Sequence, residues 1–164
     1  MRALTVEEIR ASFVNLGEDE IARLPLPGLH EVLWDEREYL GWRDPRAPHR
    51  GYLVYWRGDD PVGIALRASE VPLRAGIPAM CSMCHTTQPS SQVTMFTAAR
   101  AGQAGRDGSS VGTYICADLA CSMLIRMLPA GSPGPGAADH QLAARAEGLL
   151  ARVDAFSADV TRGR

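Results

Sequence analysis

Cys81-Ser-Met-Cys84 and Cys116-Ala-Asp-Leu-Ala-Cys121 contain all four cysteines of this 164-residue chain, and they fall in two tight pairs. A CxxC turn lets two thiolates converge on one cation about 2.3 Å away, and a second pair supplies the other two corners of a tetrahedron. Cys81, Cys84, Cys116 and Cys121 are therefore read as the ligands of one structural Zn2+ site.

The intervening sequence supplies the scaffold. Ser91-Gln-Val-Thr-Met-Phe-Thr97 and Val111-Gly-Thr-Tyr-Ile115 are β-branched and aromatic runs joined by a Gly-rich loop, the pattern of a hairpin. Straight after Cys116 come good helix formers, with Asp118 near the start, Arg126 near the end, and Pro129 and Gly131 as stop signals. That pattern predicts a helix with Cys121 in its first turns. Knuckle, hairpin, then a helix carrying the last ligand is the order of a treble-clef zinc finger. The fold class expected is α+β, a small antiparallel β-sheet with flanking helices and a treble clef.

Two other uses of the cysteines compete less well. Disulfides belong to secreted chains, and Met1-Arg-Ala-Leu-Thr-Val-Glu-Glu8 has no apolar targeting segment. A redox dithiol usually sits at a helix start after a strand, a setting that Ile77-Pro-Ala-Met80 and Gln88-Pro-Ser90 do not fit. His85 adjoins a ligand, but four thiolates already close the site, so it is expected beside the metal shell or in solvent.

At this length one domain with its own core is expected, helped by a metal. With 46% apolar residues and no long apolar run, the chain reads as cytoplasmic and without a membrane span. A net charge of -2 argues against a surface that coats nucleic acid generally, while leaving room for local basic patches. All 17 basic residues are Arg, which offers forked donors to carboxylates and phosphates.

Upstream, Thr5-Val-Glu-Glu8 is a capping box, and Val6, Ile9 and Phe13 line one face of an opening helix that should end near Asn15-Leu-Gly17. A loop-rich stretch follows, in which Trp34 and Trp42 read as core anchors rather than recognition residues. Gly51–Arg57 and Val62–Arg67, around the turn Gly58-Asp-Asp-Pro61, predict a second hairpin.

The boundaries expected are a zinc-finger domain over 1–128, a flexible Pro/Gly linker over 129–136, and a C-terminal amphipathic helix over 137–164. In that helix Leu142, Ala146, Leu149, Leu150, Val153, Phe156 and Val160 recur at helical spacing over about five turns. Such a stripe normally buries against its own domain, with a partner as the alternative.

The chain offers little for catalysis. His30, His49, His85 and His140 have no motif around them, phosphate-binding glycine fingerprints are absent, and four thiolates leave zinc no open position. A non-enzymatic role is expected. The loop Ala98–Ser110 is the better candidate, because Arg100 and Arg106 stand among small residues that let a partner approach closely. A solvated, mobile loop is the alternative reading of the same residues.

Cys81-Ser-Met-Cys84-His-Thr-Thr87, Thr97–Arg106 and Ser110–Ser122 together resemble the treble-clef zinc-finger domain of the elongation factor G-binding family, the FusB-type proteins. Leu4–Asn15, Leu40-Gly-Trp-Arg-Asp-Pro45 and Val62–Arg67 extend the likeness to small stand-alone actinobacterial members, over roughly 4–128. The resemblance implies a protein that docks on elongation factor G, with or without the ribosome, and alters how that factor leaves. FusB-type proteins carry a helical domain before the zinc domain, where this chain has a short opening helix. A treble clef that contacts ribosomal or other RNA directly is the alternative of a different class, and a thiol redox enzyme is a third.

Overall fold

The computed structural model describes residues 1–127 and 135–162. Two helices, α1 (Val6–Ser12) and α2 (Glu18–Ala22), lead into strands β1 (Leu40–Arg43), β2 (Arg50–Arg57) and β3 (Asp60–Ala68). The second half holds β4 (Ala79–Met80), β5 (Thr87–Gln88), β6 (Val93–Ala99), α3 (Gly102–Arg106), β7 (Ser110–Cys116), α4 (Cys121–Leu124) and α5 (Pro135–Thr161). The α+β class expected from sequence is the one observed.

The main sheet is antiparallel in the order β1-β2-β3-β6-β7, and β4 and β5 form a separate two-stranded ribbon. Both predicted hairpins are present, β2–β3 closing at Arg57↔Asp60 and β6–β7 running from Val93↔Cys116 to Ala99↔Ser110. They join through only two register pairs, Arg67↔Thr97 and Ala68↔Phe96, and then diverge. The segment after α1 fills the split. Phe13 bridges Gly63, and the Asn15 side chain takes the place of a strand: its Nδ2 donates to Ala65 O and Ala99 O, and its Oδ1 accepts from Ala65 N.

Period-two alternation divides the strands between two cores. Leu40, Trp42, Tyr52 and Val54 point to one face, where Ile9 and Phe13 from α1 cover them. Helix α1 starts as its sequence dictates, with Glu8 N donating to Thr5 Oγ1 at 3.1 Å and Thr5 N to Glu8 Oε2 at 2.8 Å. Trp42 is buried, stacks on Tyr52 and donates through Nε1 to Pro25 O, while Trp34 is half-buried against the same cluster. Both tryptophans are the core anchors expected.

On the opposite face Leu53, Tyr55, Ile64, Leu66, Phe96 and Ile115 meet α5, whose Leu149, Val153, Phe156 and Val160 are buried in the same cluster. The apolar stripe thus buries within the chain. A polar lock reinforces it, with Tyr55 Oη donating to Asp154 Oδ1 at 2.8 Å and Arg57 Nε to the same oxygen at 2.6 Å. The far end is capped by Ala101 N, which donates to Val160 O at 2.8 Å, and by Arg100, whose NH1 donates to Asp159 O and Arg162 O.

Helix α5 is 27 residues long, longer than the five turns of its apolar stripe. It begins at Pro135, inside the stretch expected as linker, because a proline in the first turn lacks only an N–H that has no intrahelical acceptor. The rest of that linker, 129–134, lies outside the described residues. No helix among the described residues is long and apolar enough to cross a membrane.

Candidate metal centre

The four cysteines arrive from three different places in the chain. Cys81 and Cys84 lie in the knuckle between β4 and β5, Cys116 is the last residue of β7, and Cys121 is the first of α4. The knuckle closes through Cys81 N donating to Thr86 O (3.1 Å) and His85 N to Cys81 O (2.9 Å), with His85 in the left-handed region at φ 57. Ser82 N donates to Tyr114 O at 2.8 Å, which pins the knuckle to the edge of β7. His85 itself is exposed.

The thiols meet as a compact buried group. Sγ–Sγ separations are 3.6 Å for Cys81–Cys121 and 3.5 Å for both Cys84–Cys116 and Cys116–Cys121, and all four lie within 4.8 Å of one another. Sulfurs at the corners of a tetrahedron about 2.3 Å from zinc would stand about 3.8 Å apart, so the cluster is sized for that ion. A disulfide needs about 2.05 Å, and no pair comes near it. Nor does the CxxC open a helix, as a redox dithiol would. An all-sulfur, closed donor set suits Zn2+.

N–H donors converge on the sulfurs. Met83 N and Cys84 N approach Cys81 Sγ at 3.3 and 3.5 Å, and Gln88 Nε2 reaches Cys116 Sγ at 3.2 Å. Such bonds favour thiolate over thiol. Among the thiols themselves, hydrogen bonds from Cys116 and Cys121 hold Cys81 down to about 7 and carry Cys84 further in the same direction, while Cys121 is pushed up by its bonds to Cys116 and Cys81. Four thiols this close cannot ionise together without a cation between them.

The helix after Cys116 starts later than its composition predicts. Ala117–Ala120 form a turn, with Leu119 at φ 61 and Asp118 Oδ1 accepting from Ala120 N, and α4 runs only over Cys121–Leu124. The reason is geometric. Two residues five apart on one helix are rotated by about 140°, so their sulfurs would diverge. The turn instead brings Cys116 and Cys121 together.

Outer contacts that sequence reasoning did not find hold this turn in place. Tyr39 Oη donates to Leu119 O at 2.8 Å, and a Cβ added at Gly41 would stand 2.7 Å from that carbonyl. From α5, Arg152 Nε donates to Met83 O at 2.5 Å and Arg145 NH1 to Ile125 O at 3.3 Å. Arg126 closes a two-pronged pair with the buried Glu38. Only Gln88 carried a local signal, its place four residues beyond Cys84; Tyr39, Arg145 and Arg152 come from remote elements whose approach no spacing announces.

Arg100 and Arg106 sit at the other end of the β6–β7 hairpin. The Gly-rich stretch there forms the short helix α3, where Gly105 packs so closely on the Arg100 carbonyl that a Cβ would overlap it. Arg100 turns inward onto the end of α5. Arg106 is exposed, bonded through Nε to Gln103 Oε1 at 2.9 Å.

A strand–knuckle–hairpin–helix frame around four buried thiols defines a zinc-binding treble clef. The chain matches the FBP C-terminal treble-clef zinc-finger family over residues 8–160, and it belongs to that family. No curated protein matches it. A solved structure of the fusidic acid resistance protein FusC is similar at 24% identity with a TM-score of 0.49, covering 64% of this chain. The chain spans only 46% of that protein, and a likeness this slight carries no functional assignment.

Proposed function

We propose that this chain is a non-enzymatic zinc protein that docks on elongation factor G, free or on the ribosome, and modulates the factor's release. The observation that carries this reading is family membership over residues 8–160, with the four-thiol cluster inside it. Cys81, Cys84, Cys116 and Cys121 hold one Zn2+, and the ion's role is to fix the fold, since four thiolates leave no position for substrate or water.

Zinc anchors the base of the β6–β7 hairpin, and the docking element is the hairpin's tip. Val93 and Cys116 pair at the base and Ala99 and Ser110 at the tip, so the strands carry α3 about 20 Å from the metal. There Arg106 offers a forked cation to a carboxylate on the factor. Arg100 takes part by binding α3's entry to the end of α5, which presents Arg106 on a fixed platform.

Coprecipitation with purified elongation factor G tests the assignment. Replacing Arg100 and Arg106 together by Ala should weaken recovery of the factor at unchanged zinc content. Undiminished recovery would remove the hairpin tip from the interface, and salt-sensitive binding to naked RNA in its place would favour the RNA-binding reading.

A further inference from the structure

A concavity separate from the metal centre opens on the sheet face that carries Tyr52, beyond the part that α1 covers. It has a volume of about 720 Å³ and lies between α2, the ends of β2 and β3, and the tip of the β6–β7 hairpin. That size is within the range of small-molecule sites.

Its charge arrangement is unusual for a surface with no ligand. Arg50 and Arg67 are direct register partners on β2 and β3, and both are exposed on the same face. Like charges placed directly opposite across two strands destabilise a sheet. Arg23 adds a third guanidinium to the lining of the same cleft, with its Nε donating to Asp19 O at 2.9 Å. Arg50 has no carboxylate partner among the described residues, and Arg67 has only the exposed Glu70 at 3.6 Å.

The acids that line the cleft each hold backbone N–H groups through one carboxylate oxygen. Asp44 Oδ1 accepts from Arg46 N at 2.8 Å and Ala47 N at 3.2 Å, and Glu20 Oε2 accepts from Gly17 N at 3.2 Å. Neither forms an ion pair with Arg23, Arg50 or Arg67. Beside the cationic end, Leu16, Pro25 and Ala65 give the cleft an apolar wall.

We propose that this cleft binds a nucleotide-sized phosphate ester, its phosphates held by Arg50, Arg67 and Arg23 and its base or sugar against the apolar wall. Arg pairs with phosphate oxygens through two parallel N–H bonds, and a dianionic group placed between Arg50 and Arg67 turns their repulsion into attraction. The cleft borders the hairpin tip, but neither the four cysteines nor Arg106 line it.

The test is a calorimetric titration of the zinc-loaded full chain with pyrophosphate, with ADP, with a short single-stranded oligoribonucleotide and with glutarate, at fixed salt. Pyrophosphate and ADP should bind with glutarate far weaker, and Arg50→Gln and Arg67→Gln should each cost about tenfold in affinity, while Arg106→Ala costs nothing. In the absence of ligand Arg50→Gln should melt no lower than the parent, because it relieves the like-charge pair. Tighter binding of ADP identifies a free nucleotide as the source, and tighter, steeply salt-dependent binding of the oligonucleotide identifies an RNA phosphate. Absence of binding by all three phosphates at millimolar concentration, affinity unchanged in the Arg50/Arg67 double variant, or glutarate binding as tightly as pyrophosphate would overturn the proposal.

Discussion

Tyr39 Oη donates a 2.8 Å hydrogen bond to the carbonyl of Leu119, the left-handed residue two positions before Cys121. Both residues are buried, so this bond ties the start of the main sheet to the turn that brings the last two thiols together. Burial also raises the Tyr39 pKa well above its ordinary value, with the neighbouring Cys121 adding to the effect, and the phenol stays protonated as the donor.

Tyr39→Phe should therefore cost about 1–3 kcal/mol, the penalty for a buried carbonyl left without its donor. The same variant should release zinc to a chelator faster, because the Cys116–Cys121 turn loses its support. Denaturant unfolding and chelator competition together read both effects. A fold destabilised with unchanged metal release would confine Tyr39 to packing.

Serine at Cys116 should abolish stoichiometric zinc and much of the folded signal, since metal-binding free energy in such a site is folding free energy. Metal analysis of the purified variant beside its far-ultraviolet dichroism decides the point. One zinc retained per chain would remove Cys116 from the ligand set.

Helix α5 is expected to be integral to the core. Phe156→Ala should cost about 3–5 kcal/mol and Leu149→Ala about 2–5 kcal/mol, because each leaves a cavity between α5 and the sheet that also shields the thiols. Losses near zero would mean that the helix leaves the sheet in solution.

The lock on α5 should open in acid. The Arg57 guanidinium, and then the Tyr55 hydroxyl, hold the Asp154 carboxyl below its usual 3.8. Its folded pKa being depressed, the stabilisation is complete above the unfolded value and is lost as pH falls through the folded one. Asp154→Asn should flatten that part of the stability–pH curve below about pH 4, read by thermal unfolding at constant zinc. An unchanged acid limb would place the acid sensitivity elsewhere.

What the sequence revealed follows from how local each signal is. The cysteine pairs, the Thr5–Glu8 capping box, the β2–β3 and β6–β7 hairpins and the apolar stripe of α5 rest on spacings of a few residues. The meeting of the hairpins at Arg67↔Thr97, the Asn15 wedge and the Tyr39–Leu119 bond depend on long-range register, which composition does not encode. Helix propensity after Cys116 was overridden by the need for two sulfurs to converge, and the Gly-rich tip folded into α3 where an irregular loop was expected.

The most direct measurement is a calorimetric titration of the purified, zinc-loaded chain into purified elongation factor G. Saturable one-to-one binding is expected, lost when zinc is removed and weakened by about 2 kcal/mol or more when Arg106 is truncated to Ala, the cost of leaving a desolvated charge contact unpaired. Absence of heat and of complex with the folded, zinc-loaded chain, or binding indifferent to both zinc and Arg106, would contradict it.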